Sequence, residues 1–549
     1  MKKYSHVSGD YSPNSKLSKV TRFTKDENGS FTIFVLIGFL MFLAVFGMGA
    51  DIMKFERNRA NLQSTLDRAV LAAADLDQKE PPQEVVESYL EKAGLKEYLK
   101  KVQVTDAFGS RKVYAEASAV VPMHFIYWFG IADIAANATS EAEEAIGSVE
   151  ISLVLDISGS MSDPSATDGK SKIAVLRESA TEFVEMMLDK DGDNKVSISL
   201  VPYATQVSAG DSILSKFPNA SSEHAYSHCV NFSSSDFSST QLPRSSTLKR
   251  TAHFDRWYYA EGSLRLPECP VRAGSAITPL TDNYDKLSSE IALLTPGGNT
   301  SIDIGMKWGM ALLDPSMRSV VKDLSNETDP NYGPAKIVPS SFDNRPLDYD
   351  ADTLKVLIVM TDGKNTSQAF LDPSLRQGNS DVWYNPEADE YSVYSHYYGR
   401  YYWQSRNQWG DYPYGNPPNE NVFNNQPGTA SRLTYPQLFN RASLKWNAYY
   451  NYGWQSNYWS RWVTNAYTTV GTYTKNLRTN AACSAAKNNG VIVYGIAFEA
   501  PPEGYTVLKN CASSDSHLYN VDKNAPDGLD LNKAFVSIAS SIRKLRLTQ

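Results

Sequence analysis

Residues 149–549 predict an α/β fold, a mainly parallel sheet with helices on both faces. Three observations carry this. Short apolar runs rich in β-branched residues recur at 149–155, 354–360 and 491–497, as expected of strands buried on both sides. Segments with three-four apolar spacing alternate with them at 171–188 and 301–313, and again from Leu531. Each early run empties into a loop of small polar residues. With 549 residues the chain holds more than one domain, and 42% apolar residues suffice for a core. A net charge of −8 leaves no basic footprint for nucleic acid.

Taken from the start, residues 1–28 carry Lys2, Lys3, Lys16, Lys19, Arg22 and Lys25. Residues 31–50 contain no charge and are long enough to cross a bilayer as a helix. A secretory signal competes, because Gly47 and Gly49 mimic a small-x-small cleavage site. Signal cores, however, run to only roughly 7–15 residues. The basic tail places 1–28 in the cytoplasm, 29–50 in the membrane as a single pass, and everything beyond outside the cytoplasm. Lys54, Arg57 and Arg59 weaken that bias without reversing it.

Ile52, Phe55, Leu62, Leu66, Ala69 and Ala73 continue the helical stripe, so one helix of about forty residues leaves the lipid and ends at Pro81-Pro82. A second helix over 84–98 and strands at 101–105 and 112–117 complete a small pilin-like α+β region, 51–148. Residues 123–130 are apolar but short, which suits core or interface rather than a second span.

In 149–549, strand 149–155 leads into Asp156-Ile157-Ser158-Gly159-Ser160, then helix 171–188 and strand 196–203. Thr300, in Gly297-Gly298-Asn299-Thr300, precedes helix 301–313. Asp362, in Thr361-Asp362-Gly363, follows strand 354–360. Strand 491–497, a short strand at Leu518-Tyr519 and a helix bearing Leu531, Phe535, Ile538, Ile542 and Leu545 close the fold. In open α/β sheets, loops at the carboxyl ends of strands converge. Asp156, Ser158, Ser160, Thr300 and Asp362 would then form an all-oxygen cluster of the kind hard divalent cations prefer.

These three pieces resemble the metal-ion-dependent adhesion site of von Willebrand factor type A domains, which implies a doubly wound sheet and a divalent cation. Mg²⁺ is the first expectation, with Ca²⁺ or Mn²⁺ as alternatives. The resemblance makes Ser158, Ser160 and Thr300 direct ligands and Asp156 and Asp362 direct or water-mediated acids. It also implies a protein partner donating an acidic side chain to the metal. Residues 28–31 and 61–74 resemble the N-terminal region of TadG-type proteins, in the TadE/TadG-like group of Flp (tight-adherence) pilus assembly. That implies an inner-membrane anchor, a periplasmic main domain, other pilus components as partners, and no catalysis.

Cys229, Cys269, Cys483 and Cys511 fit an oxidising compartment as two local disulfides, Cys229–Cys269 and Cys483–Cys511. Three pairings are open from sequence, and free buried thiols are the alternative. Two stretches exceed a minimal domain, 205–290 and 364–480. Between 383 and 473 lie 7 of the 10 tryptophans and 16 of the 32 tyrosines, set among Asn, Gln, Ser and Gly. That composition suits a recognition surface for protein or glycan, as in a surface adhesin. It equally suits an insert burying its own aromatics, or a segment without fixed structure. No Gly-x-Ser-x-Gly, Walker A or His-Glu-x-x-His motif stands in the chain, and Cys-x-x-Cys spacing is absent. His517 is the one histidine placed to be proposed as a base. The acidic turn 189–194 lacks the order of a calcium-binding EF-hand loop.

Overall fold

The computed structural model describes residues 29–75, 78, 80–107, 110–145, 148–166, 169–188, 195–349, 353–416, 426–522 and 529–547. The basic tail 1–28 and the turn 189–194 lie outside the described residues. Two compact units divide the chain between Ala145 and Ile146.

The first unit is a helix, Gly29–Ala74, followed by a helix, Pro82–Lys92, and a three-stranded antiparallel meander. Its strands are Leu99–Ala107, Ser110–Pro122 and Asp133–Ala145. The long helix runs 46 residues, roughly 70 Å. Its first half is apolar all round and outward-facing, long and apolar enough to cross a membrane. Its second half buries Leu62, Leu66, Ala69, Val70 and Ala73 against Val85, Val86, Leu90 and the alanine-rich sheet. Ile52, expected on that stripe, faces outward. The helix ends at Ala74 rather than at the Pro pair. Pro81 caps the next helix and Pro82 opens it, where a missing N–H costs nothing.

In the second unit a six-stranded sheet runs Leu518–Val521, Ile492–Phe498, Thr353–Thr361, Ser148–Asp156, Val196–Tyr203, Thr278–Thr281. All neighbours are parallel except the last pair. Alternate side chains feed two cores. Val149, Ile151, Leu153 and Leu155 pack with helices Lys172–Met187, Tyr284–Leu293 and Leu531–Leu547. On the other side Val154, Val201, Leu357 and Val359 join the face of helices Ile302–Ala311, Arg318–Asn326, Thr472–Asn488 and Pro502–Cys511. The α/β expectation holds, and the end of the stretch 205–290 is built into this fold through its last strand and helix.

The described residues of the aromatic stretch form regular structure, against the reading of a segment without one. A ladder pairing Gln368–Leu371 with Tyr467–Val470 forms its neck. Beyond it lies an antiparallel sheet ordered Gln408–Gly410, Arg400–Trp403, Glu390–Ser395, Asn379–Asn385, Ser431–Thr434. Tyr391, Tyr452, Trp462 and Phe439 fill its core together with Ala252 and Phe254 from the earlier stretch. The two excursions are joined further by Leu444 N–H to Asp255 O and Ser443 N–H to Ala260 O, both 2.9 Å. Disulfides join Cys229 to Cys269 and Cys483 to Cys511, leaving no free thiol.

Candidate metal centre

Parallel strands deliver their carboxyl ends to one edge, and there the two distant acids meet. Leu155 and Met360 are register partners, so Asp156 and Thr361 emerge side by side. The Thr361 hydroxyl donates to Asp156 Oδ2 at 2.6 Å, and Ser158 N–H donates to Asp156 Oδ1 at 2.7 Å. One oxygen of the buried Asp156 therefore shapes the loop that follows it, and the other ties that loop to the end of the neighbouring strand. Ser158 Oγ lies 3.2 Å from Ser160 Oγ, and the Ser160 hydroxyl donates to Asp362 Oδ1 at 2.7 Å.

Thr300 comes to the same spot from its own loop. A Cβ added to Gly363 would lie 3.4 Å from Thr300 Oγ1 and 3.8 Å from Ser160 Oγ. The backbone of Thr300 is fixed by two bonds with Thr366: Thr300 N–H to Oγ1 at 2.9 Å and Thr366 N–H to Thr300 O at 3.0 Å. Gly298 sits at φ +88° with Thr205 Oγ1 only 2.8 Å from where a Cβ would be, so this turn needs glycine. The buried Thr300 hydroxyl makes no hydrogen bond among the described residues.

All five predicted residues thus converge: Asp156, Ser158, Ser160, Thr300 and Asp362. The donors fit a hard cation, being oxygen only, with one hydroxyl uncommitted and two carboxylates close by. Among the described residues no group of three His, Cys, Asp or Glu is placed to hold a metal. Any cation here depends on the hydroxyls. Burial first, and the charge of Asp362 second, push the Asp156 carboxyl up to about 7.

Several participants were not among the residues expected from the sequence. Lys172, at the start of its helix, donates to Asp362 Oδ2 at 3.0 Å and lies 3.9 Å from Glu499 Oε2. Arg272 bonds Ile157 O at 3.1 Å, Gly297 O at 2.8 Å and Thr295 O at 2.6 Å, tying the Ser158 loop to the Thr300 loop. Lys475 reaches Thr300 O at 3.1 Å from the helix after the aromatic excursion. Lys475 and Lys172 each share a helical stripe with buried residues, Thr479, Ala482 and Ala486 for the one and Leu176, Ser179 and Phe183 for the other, whereas Arg272 lies on no such stripe. His517 bonds Ser514 and packs on Tyr494, taking no part in the cluster.

Beside the cluster opens a cavity of about 440 Å³ lined by Gly159, Gly297, Gly298, Trp257, Arg265 and Leu266, among others. The Arg265 guanidinium lies over the Tyr258 ring, 5.7 Å from its centroid, and has no carboxylate partner among the described residues.

The family described as "Tad: Putative Flp pilus-assembly TadE/G-like" matches residues 29–76. No curated protein matches the chain. Among solved structures, the vWF domain of the type V pili tip protein Mfa5 from Porphyromonas gingivalis aligns at 14% identity and TM-score 0.30, covering 73% of this chain and 96% of that one. The pilus adhesin SpaC from Lactobacillus rhamnosus GG aligns at 12% identity and TM-score 0.29, over 81% of this chain and 34% of its own. The PilB minor pilin from Streptococcus sanguinis gives 12% identity and TM-score 0.29, over 81% and 78%. Scores this low transfer neither fold nor function.

Proposed function

We propose that this chain is a membrane-anchored, periplasmic component of a Flp-type pilus assembly that holds a protein partner through a divalent cation. The observation that carries the reading is the meeting of Ser158, Ser160 and Thr300 oxygens with Asp362, more than one loop and many residues apart in sequence. Ser158, Ser160 and Thr300 would hold the ion, with Asp362 beside them and Asp156 holding the loop in shape. A bound Mg²⁺ supplies an electrophilic centre that keeps water readily and accepts one more carboxylate. Three neutral hydroxyls neutralise little of its charge, so an acidic side chain of a partner completes it. Arg265 in the adjoining cavity favours the same acidic partner. The family match at 29–76 and the apolar helix support the anchor and the pilus association. The resemblance to von Willebrand A domains supports binding rather than catalysis.

Calorimetric titration of the full chain in detergent with Mg²⁺ tests this. The expected result is one site, weakened tenfold or more, about 1.4 kcal/mol, in Asp156→Ala. Pull-downs from the cell envelope should lose the partner in EDTA as in Asp156→Ala. Equal binding by both proteins, with and without metal, would end the proposal.

A second reading, a surface adhesin, is favoured by the exposure of Tyr397 (88%), Tyr398 (58%) and Tyr449 (54%) on the aromatic excursion. Fractionation separates the two: an assembly component stays with the inner membrane, and an adhesin is cut by protease added to intact cells.

A further inference from the structure

The turn between strands Ser110–Pro122 and Asp133–Ala145 is pinned to the long helix from two sides. Asp51 Oδ2, on the helix, accepts the backbone N–H groups of His124, Phe125 and Ile126 at 3.0, 2.6 and 2.9 Å. One turn earlier, the Phe125 ring lies only 2.3 Å from where a Cβ on Gly47 would stand, so any larger residue there would displace it. Ile126 and, from the helix, Phe55 both pack against the small cluster of Val121, Met123 and Ala136. The turn therefore reaches back along the helix into the uncharged run 31–50, instead of folding away from it.

Its outer side does not suit water. Tyr127, Trp128, Phe129 and Ile131 are 61, 65, 62 and 47% exposed, a set rarely gathered on a free loop. The reading as core holds for Met123 alone. Phe42, Val45 and Phe46 on the neighbouring helix turns are outward-facing as well, so the aromatic tip continues the helix's apolar surface. Gly47 stands sixteen residues after Phe31, roughly 24 Å along the axis, near the far side of a hydrocarbon layer about 30 Å thick. Trp and Tyr are the residues enriched at that level, where a ring is half in lipid and half in headgroups.

We propose that Tyr127, Trp128, Phe129 and Ile131 form a second membrane contact, an aromatic foot seated in the interfacial layer of the bilayer that the helix crosses. The proposal rests on the membrane-spanning reading of residues 29–50. The foot sets the depth and rotation of the helix, because Asp51 and Gly47 fix it to one helix face.

Trp128 is the first of ten tryptophans, and the next is Trp257, so a Trp128→Phe difference signal isolates it. The full chain is reconstituted in phosphatidylethanolamine–phosphatidylglycerol vesicles, with or without lipids brominated near the carbonyl groups. The wild-type minus Trp128→Phe emission should be blue-shifted and lose roughly half its intensity in brominated vesicles. A difference signal untouched by bromine and quenched by aqueous acrylamide overturns the foot. So does one shielded from both quenchers, which would mean a protein covers it, such as a second copy. Flotation with vesicles and resistance to alkaline carbonate report the anchor separately. Retention of both proteins keeps the anchor whatever Trp128 does. A chain that does not float removes the anchor, and the foot with it.

Discussion

Lys172 places a positive charge where a cation would be drawn. Its ammonium holds Asp362 Oδ2 at 3.0 Å while Ser160 holds the other oxygen, so the cluster carries two carboxylates against one fixed ammonium. Lys172→Met should therefore raise Mg²⁺ affinity about tenfold, roughly the 1.4 kcal/mol of one charge-assisted bond. Calorimetric titration reads it directly, and unchanged or weaker binding would show that Lys172 only props Asp362. His253 supplies a pH dependence of stability. Burial chiefly, helped by the charge of His224, pushes it from 6.5 to about 4, against a hydrogen bond that its ring makes to the Asn440 side chain. Between those values the unfolded chain binds a proton that the folded chain refuses. Stability is full above pH 6.5 and falls as pH drops toward 4, by roughly 3 kcal/mol at about 1.4 kcal/mol per pH unit. Urea melts of the full chain at pH 7 and pH 4.5 should show that loss, and His253→Phe should flatten it.

The aromatic excursion behaves as an element in its own right, closed at its neck where Leu371 pairs with Tyr467. Replacing residues 372–466 with a short Gly-Ser linker should leave the six-stranded sheet and the Cys483–Cys511 bond formed. Residues 252–262 should become protease-sensitive, having lost the bonds from Ser443 and Leu444. Collapse of the whole second unit, seen as loss of cooperative melting, would mean that the excursion is part of the core. The buried parallel strands were legible because apolar, largely β-branched residues dominate them, although buried Glu150, Ser152 and Lys355 interrupt the runs. Strand Asp133–Ala145 was not: Ala and Glu fill it, residues that strands disfavour. Thirteen paired positions along Ser110–Pro122 outweigh that preference, and its Ala136 and Ala138 are fully packed. At the candidate centre the oxygen donors were legible by motif and strand end. Arg272 was not, since a charge held by loop carbonyls leaves no periodic trace, and the place of Lys172 on the buried stripe of its helix did not say which carboxylate it meets.

At the scale of the molecule, the candidate centre is assembled from segments scattered over more than half of the second unit, from Asp156 to Asp362 and on to Lys475. The strand order has a consequence for biosynthesis. Ser148–Asp156 lies between Val196–Tyr203 and Thr353–Thr361. Its first neighbour arrives early, but the second follows about 200 residues later, or some 10–40 s at roughly 5–20 residues per second. For that interval an apolar strand edge stands open to any other chain nearby. A nascent chain with this topology is most prone to aggregate when half made, and Thr353–Thr361 is the segment whose arrival ends the exposure.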